Sequence, residues 1–201
     1  SCIMTDIDLF KSINDRFGHS AGDDVICKVA DTLHHSVRST DTVCRYGGEE
    51  FCIILPGIGL EQAIEMSQRA RKNIARLIVC DESRDQREAI TSSFGVAAME
   101  HHPSGFADLI DRADKALYQS KHTGRNRVTA WHPDECEDWH TAGSTDAHPA
   151  GTADTADATS TVVSDQASSD ILTGLPDRKA FYSSIASAVQ QCKASRQHAS
   201  I

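Results

Sequence analysis

Two carboxylate clusters in the amino-acid sequence have the makings of a divalent-cation site. Asp6-Ile7-Asp8 ends one short β-rich run, and Gly47-Gly48-Glu49-Glu50 lies between two others. Carboxylates are the hard oxygen ligands that Mg²⁺ and Ca²⁺ prefer. The paired glycines would let the backbone approach a phosphate closely and would accept the positive φ of a tight turn. In extended backbone Glu49 and Glu50 point to opposite faces, so they are expected to play different roles. Taken alone, each cluster is more often a solvated surface turn. Other candidate ligands are less organised. The ten histidines include the pairs His34-His35 and His101-His102, but no second ligand pair sits at helical spacing, so they read as surface or loop residues. The seven cysteines are odd in number and never spaced C-x-x-C. That argues for a reducing cytosol, and against a disulfide framework or a thiolate zinc site.

Positioning such carboxylates needs strands and helices, and the hydrophobic pattern supplies them over residues 1–132. Cys2 to Ile7 reads as a strand. Val25, Ile26, Val29, Ala30, Leu33 and Val37 recur at helical spacing and predict an amphipathic helix from about Asp23 to Val37. Thr42–Tyr46 and Phe51–Leu55 are two strands joined through Gly47-Gly48, with Pro56-Gly57 ending the second. Ala63, Met66, Ala70, Ile74 and Leu77 mark a helix, Ile90–Met99 a strand containing Gly95, and Phe106, Leu109, Ile110, Ala113 and Leu117 another helix. Val128–Trp131 is a closing strand.

From 133 to 169 the composition changes to Asp, Ala, Thr, Ser and Gly, with few large apolar groups. Such a segment cannot offset its ordering entropy by burial, so a disordered linker is expected. Nine of the 29 acidic groups and none of the 20 basic ones lie in 134–170. The net charge of −9 therefore resides there, and the neutral remainder gives no electrostatic case for nucleic-acid binding. Structure is expected to resume over 170–201, where Thr173 or Pro176 starts a helix with Phe181, Ile185, Ala188 and Val189 on one face. No apolar run approaches the ~20 residues of a membrane-spanning helix. With Ser at position 1 the chain reads as a piece of something longer, cytoplasmic or the cytosolic part of a membrane-anchored protein.

Together the segments resemble the GGDEF family of diguanylate cyclases. The resemblance runs through Asp6-Ile7-Asp8-Leu9-Phe10-Lys11-Ser12-Ile13-Asn14-Asp15, Gly18-His19-x-x-Gly22-Asp23, Arg38-x-x-Asp41 and Arg45-Tyr46-Gly47-Gly48-Glu49-Glu50-Phe51. It continues in Phe94-Gly95-Val96, in Ala113 to Asn126 with Lys121-x-x-Gly124-Arg125, and in Asp170-x-Leu172-Thr173-Gly174-Leu175-Pro176-x-Arg178. It implies an α/β fold of the α+β kind: a central, mainly antiparallel five-stranded sheet flanked by helices, a nucleotidyl-cyclase palm with a ferredoxin-like core. It also implies that Asp6, the Ile7 carbonyl and Glu49 hold Mg²⁺, with Mn²⁺ as an alternative. Glu50 would be a further ligand or the base for the attacking 3′-hydroxyl. Asn14 and Asp23 would read guanine, and Lys11, Lys121 and Arg125 would neutralise the triphosphate. Without the resemblance, Lys121 and Arg125 read first as a solvated helix end whose dipole favours cations.

The implied reaction joins two GTP molecules into cyclic di-GMP and pyrophosphate. Each domain holds one nucleotide, so a homodimer is implied. Arg38 and Asp41, with Arg69 as a third member, match the family's inhibitory product site. The rival reading is a non-catalytic cyclic di-GMP receptor that uses Arg38 and Asp41. One departure concerns order, since the family's opening segment stands last here, at 170–201. Either the order is circularly permuted and 170–201 packs on 1–132, or the chain joins parts of two tandem copies. A flexible linker of this length spans roughly 35 Å, enough to cross a small domain.

Overall fold

The computed structural model describes residues 1–81, 85–133 and 168–185. Five strands form the main sheet: β1 (Cys2–Ile7), β2 (Thr42–Arg45), β3 (Glu50–Ile54), β6 (Ser92–Ala97) and β7 (Val128–Ala130), in the order β2-β3-β1-β6-β7. All pairings are antiparallel except β6 with β7. A two-stranded ribbon, β4 (Ile78–Asp81) with β5 (Gln86–Ala89), stands apart. The helices are α1 (Phe10–Phe17), α2 (His19–Ser36), α3 (Leu60–Ile74) and α4 (Phe106–His122). This is the expected α+β architecture with a mainly antiparallel five-stranded sheet.

Side chains alternate across a strand, and this builds two cores. Ile3 and Ile7 of β1 join Val25, Ile26, Val29 and Leu33 of α2 and Ala63, Ala70 and Ile74 of α3 on one face. Cys2 and Met4 join Cys44, Cys52, Leu109, Ile110, Ala113 and Leu117 on the other. β1 and β6 are buried along their full length because both faces are covered.

Several boundaries differ from the sequence reading. The helix expected from Asp23 begins at His19, so Gly22 lies inside it rather than before it. The strand expected over Ile90–Met99 covers Ser92–Ala97, and Met99 falls in a short 3₁₀ turn. Near the end of the chain, helical residues 178–185 follow Asp177, whose Oδ1 accepts the Ala180 N–H at 2.8 Å. The N-cap is thus Asp177 rather than Thr173 or Pro176, and a carboxylate there satisfies a backbone donor that proline and threonine further back leave unmet.

Residues 168–185 touch the sheet directly. Arg45 N donates to the Pro176 carbonyl at 3.1 Å, and Arg45 bridges to Asp177 in parallel register, covering the open edge of β2. Phe181 is fully buried in the second core, 6.0 Å from Phe106 ring to ring. The linker expectation for 134–167, and the helix positions Ala188 and Val189, lie outside the described residues.

Candidate active site

The two carboxylate clusters meet because β1 pairs with β3. Asp6 lies opposite Glu50 in register, and Ile7 N donates to the Glu49 carbonyl at 3.3 Å. The hairpin between β2 and β3 is closed by Tyr46 N and Gly47 N, which both donate to the Glu50 carbonyl, at 2.8 and 3.2 Å. Its glycines do not take the positive φ expected of them. Among the described residues the glycines with positive φ are Gly18, Gly57, Gly124 and Gly174, so neither Gly47 nor Gly48 needs left-handed backbone. What position 47 needs is space, since a Cβ there would stand 2.7 Å from Glu50 Oε2.

Asp6 is buried, and its Oδ2 pairs with Lys121 Nζ of α4 at 2.8 Å. Burial raises its pKa to about 7. Lys121 opposes that shift, while Glu49 and Glu50 add to it through repulsion. Acidic groups therefore crowd here with one ammonium against them. That chemistry fits a hard divalent cation, with the Asp6, Glu49 and Glu50 carboxylates and the Ile7 carbonyl as donors. Among the described residues, no three His, Cys, Asp or Glu side chains already stand as a metal-binding set. Lys121 faces Asp6 here, whereas the resemblance gives it to the triphosphate.

The backbone around this cluster is strained. Leu9, Arg125 and Asn126, three of the five non-glycine residues with positive φ among the described residues, flank it at 54°, 58° and 46°. Sequence reasoning missed the two groups that hold this geometry. Asp8 carries no expected ligand role of its own, and its carboxylate accepts from Thr91 Oγ1 at 2.8 Å, Ser93 Oγ at 2.6 Å and Asn126 N at 3.0 Å. Arg71 of α3 donates to the Asn126 carbonyl at 3.1 Å and to its Oδ1 at 2.8 Å. Between them they fix the loop that presents Arg125. The Asp-x-Asp spacing hinted at Asp8, but no local signal marks Arg71.

The expected guanine-reading pair sits at the α1–α2 corner. Asn14 Oδ1 presses so close to Gly22 that a Cβ there would lie 1.9 Å away, and exposed Asp23 follows directly. Lys11 is exposed on α1, as is Arg125 beyond α4. Elsewhere, Arg38, Asp41 and Arg69 line one surface depression of about 240 Å³, together with Met66, Leu55 and Glu65. Asp41 Oδ2 accepts Arg38 N at 2.8 Å, which closes the turn that presents both side chains.

A mainly antiparallel palm with carboxylates at the β1–β3 end is the framework of nucleotidyl-transfer domains. The profile of the family described as diguanylate cyclase, GGDEF domain, matches residues 1–127, and the chain belongs to that family. It is 40% identical over 129 residues to diguanylate cyclase A of Treponema denticola, covering 64% of this chain and 34% of the relative. It is 42% identical over 130 residues to diguanylate cyclase DgcM of Escherichia coli, covering 65% of this chain and 30% of that protein. The chain thus spans about a third of the length of these curated relatives. Among solved structures, the GGDEF domain of DgcB from Caulobacter crescentus, in complex with c-di-GMP, superposes with TM-score 0.60 at 37% identity. That match covers 64% of this chain and 75% of the other. The active GGEEF domain of a diguanylate cyclase from Vibrio cholerae gives TM-score 0.60 at 36% identity, covering 65% and 81%. Among the described residues no helix is long and apolar enough to cross a membrane.

Proposed function

We propose that the chain is a diguanylate cyclase that condenses two GTP molecules into cyclic di-GMP and pyrophosphate. The observation that carries the reading is the meeting of Asp6, Glu49, Glu50 and Lys121 at the β1–β3 end, in a chain of this family. In the reaction the 3′-oxygen of each GTP bonds to the α-phosphorus of the other, and each α–β bridging bond breaks, so that two phosphodiester bonds form and two pyrophosphates leave. In this reading Glu50 accepts the hydroxyl proton, and Lys11 and Arg125 meet the triphosphate charge. Lys121 would turn from Asp6 to phosphate when a cation neutralises the carboxylates. Asp6, the Ile7 carbonyl, Glu49 and Glu50 would hold that cation, Mg²⁺ or Mn²⁺, which supplies charge neutralisation at the reacting phosphate.

Asn14 and Asp23 would bind guanine, and two copies would face each other, because one site holds one nucleotide. In the same reading 170–201 completes the domain formed by 1–132 across the linker 133–169, and the protein works in the cytoplasm. The test is incubation of the full chain with GTP and Mg²⁺, with product analysis and Glu49→Ala as control. A folded dimer that makes no cyclic di-GMP sinks the reading.

A second reading has its own support, since Arg38, Asp41 and Arg69 share one depression. Cyclic di-GMP bound there would inhibit the enzyme, or would be the sole ligand of a non-catalytic receptor. Added cyclic di-GMP should slow turnover, and Arg38→Ala should relieve the inhibition. Binding without any turnover in the parent chain would favour the receptor.

A further inference from the structure

The hairpin that carries Glu49 and Glu50 is restrained from outside the site. Arg45 donates from Nε and Nη2 to the Gly48 carbonyl at 3.0 and 2.7 Å. The same guanidinium donates from Nη1 to both carboxylate oxygens of Asp170, at 3.0 and 2.9 Å. Asp170 is itself anchored, because Thr173 N and Oγ1 donate to its Oδ1 at 2.9 and 2.7 Å. Burial works against its charge, but the hydrogen bonds from Thr173 and Arg45 prevail and hold its carboxyl below the usual range.

A second connection runs beside the first. The Tyr46 and Tyr182 hydroxyls lie 3.0 Å apart, and the Arg178 guanidinium covers the Tyr46 ring at 4.5 Å. Fully buried Phe181 fixes the helical stretch that carries both Arg178 and Tyr182.

Gly48 is exposed, and no atom lies within 4 Å of where its Cβ would stand. No side chain or backbone atom would crowd a Cβ at Gly48, and the Arg45 fork holds the carbonyl of the Gly48–Glu49 peptide. An arginine whose fork is engaged on one side by a fixed carboxylate has lost the rotamer freedom that would let the hairpin tip drift.

We propose that Asp170, Arg178 and Tyr182 are positioning residues: acting through Arg45 and Tyr46, they set the hairpin tip and so place the Glu49 and Glu50 carboxylates. This inference rests on the diguanylate cyclase reading of the site. It makes the docking of residues 168–185 a condition of turnover as well as of cohesion.

The test uses the full chain with Asp170→Asn and Tyr182→Phe. Asparagine can keep the Oδ1 contacts with Thr173, so the local turn survives while the charged contact with Arg45 is lost. For Asp170→Asn, kcat should fall about tenfold and KM for GTP should stay within about threefold, because misplaced groups cost rate more than binding. Tyr182→Phe should lower kcat about threefold by the same argument. Asp170→Glu should recover part of the loss. Amide exchange at Tyr46 and Gly47 should quicken in Asp170→Asn, while Ile53 in β3 stays protected.

Val29→Ala, far from the hairpin in the α2 core, serves as a control matched in lost stability and should keep its kcat per folded molecule. The proposal is overturned if Asp170→Asn keeps wild-type kcat and hairpin exchange, or if its loss merely equals that of Val29→Ala. If the parent chain makes no cyclic di-GMP, the cyclase reading has failed. Exchange at Tyr46 and Gly47 then decides the coupling alone, with faster exchange supporting it and unchanged exchange overturning it.

Discussion

Gly47→Ala should separate stability from activity. The backbone at position 47 is outside the left-handed region, so alanine fits it without strain. Its Cβ would stand 2.7 Å from Glu50 Oε2, where ordinary contact begins at 3.4 Å. The atom in the way is the far end of a flexible side chain, so the carboxylate swings aside by about 0.7 Å, the difference between those two distances. The folded state loses little, and the unfolded chain loses freedom, for a net gain of up to about 0.5 kcal/mol. A displacement approaching 1 Å at a reacting group costs on the order of 10- to 100-fold in rate. Gly48→Ala is the companion, because it meets nothing within 4 Å and should leave both stability and kcat near wild type. The assay is denaturant unfolding beside steady-state cyclic di-GMP synthesis for the two variants. Wild-type turnover in Gly47→Ala would refute the reasoning. A collapse confined to Gly48→Ala with raised KM would show instead that the glycines serve close approach to the nucleotide.

Three further outcomes are expected. Gly22→Ala drives a Cβ to within 1.9 Å of Asn14 Oδ1 and 3.2 Å of Phe10 Cζ; it should cost about 1–3 kcal/mol in a melting experiment and raise KM for GTP. Asp8→Ala leaves the Thr91, Ser93 and Asn126 donors unmet, so stability should drop by about 2–4 kcal/mol, while Asp8→Asn should lose less. Asp6 is raised to about 7 from 3.8, so between those values the folded carboxyl keeps a proton that the unfolded one releases. Stability should therefore fall as pH rises from about 4 to 7, by at most about 4 kcal/mol, and urea midpoints should show a flatter profile in Asp6→Asn. An identical slope in the two proteins would count against the raised pKa.

Much of the fold was legible because its signals are local. The short, mostly apolar run of β1 and the 3.6-residue spacing of Val25, Ile26, Val29 and Leu33 reflect a strand covered on both faces and a helix stripe, and both elements appear as expected. The α1 helix went unseen although Phe10, Ile13 and Phe17 recur at helical spacing and pack on the core, because eight residues make only two turns of the pattern. The β4–β5 ribbon escaped for a related reason: Val79 alone in it is buried, so neither strand alternates clearly. The helix expected from about Asp23 starts earlier, at His19, so Gly22 lies inside α2, where its missing side chain makes room for Asn14. At the site, residue types were legible through family resemblance. Partnerships were not. The Asp6–Lys121 pair, the Arg71 clamp on Asn126 and the Arg45–Asp170 fork join residues far apart in sequence, and only tertiary packing creates them.

The central place of β1 also sets a clock. Cys2 pairs with Ile54 on one side and with Ala97 on the other, so neither edge of this apolar strand can be satisfied locally. At translation rates of about 5–20 residues per second, the second partner emerges roughly 5–20 seconds after the strand itself. Through that interval one edge of Cys2–Ile7 offers unpaired backbone to any neighbouring chain, so the strand that bears Asp6 is open to misassembly.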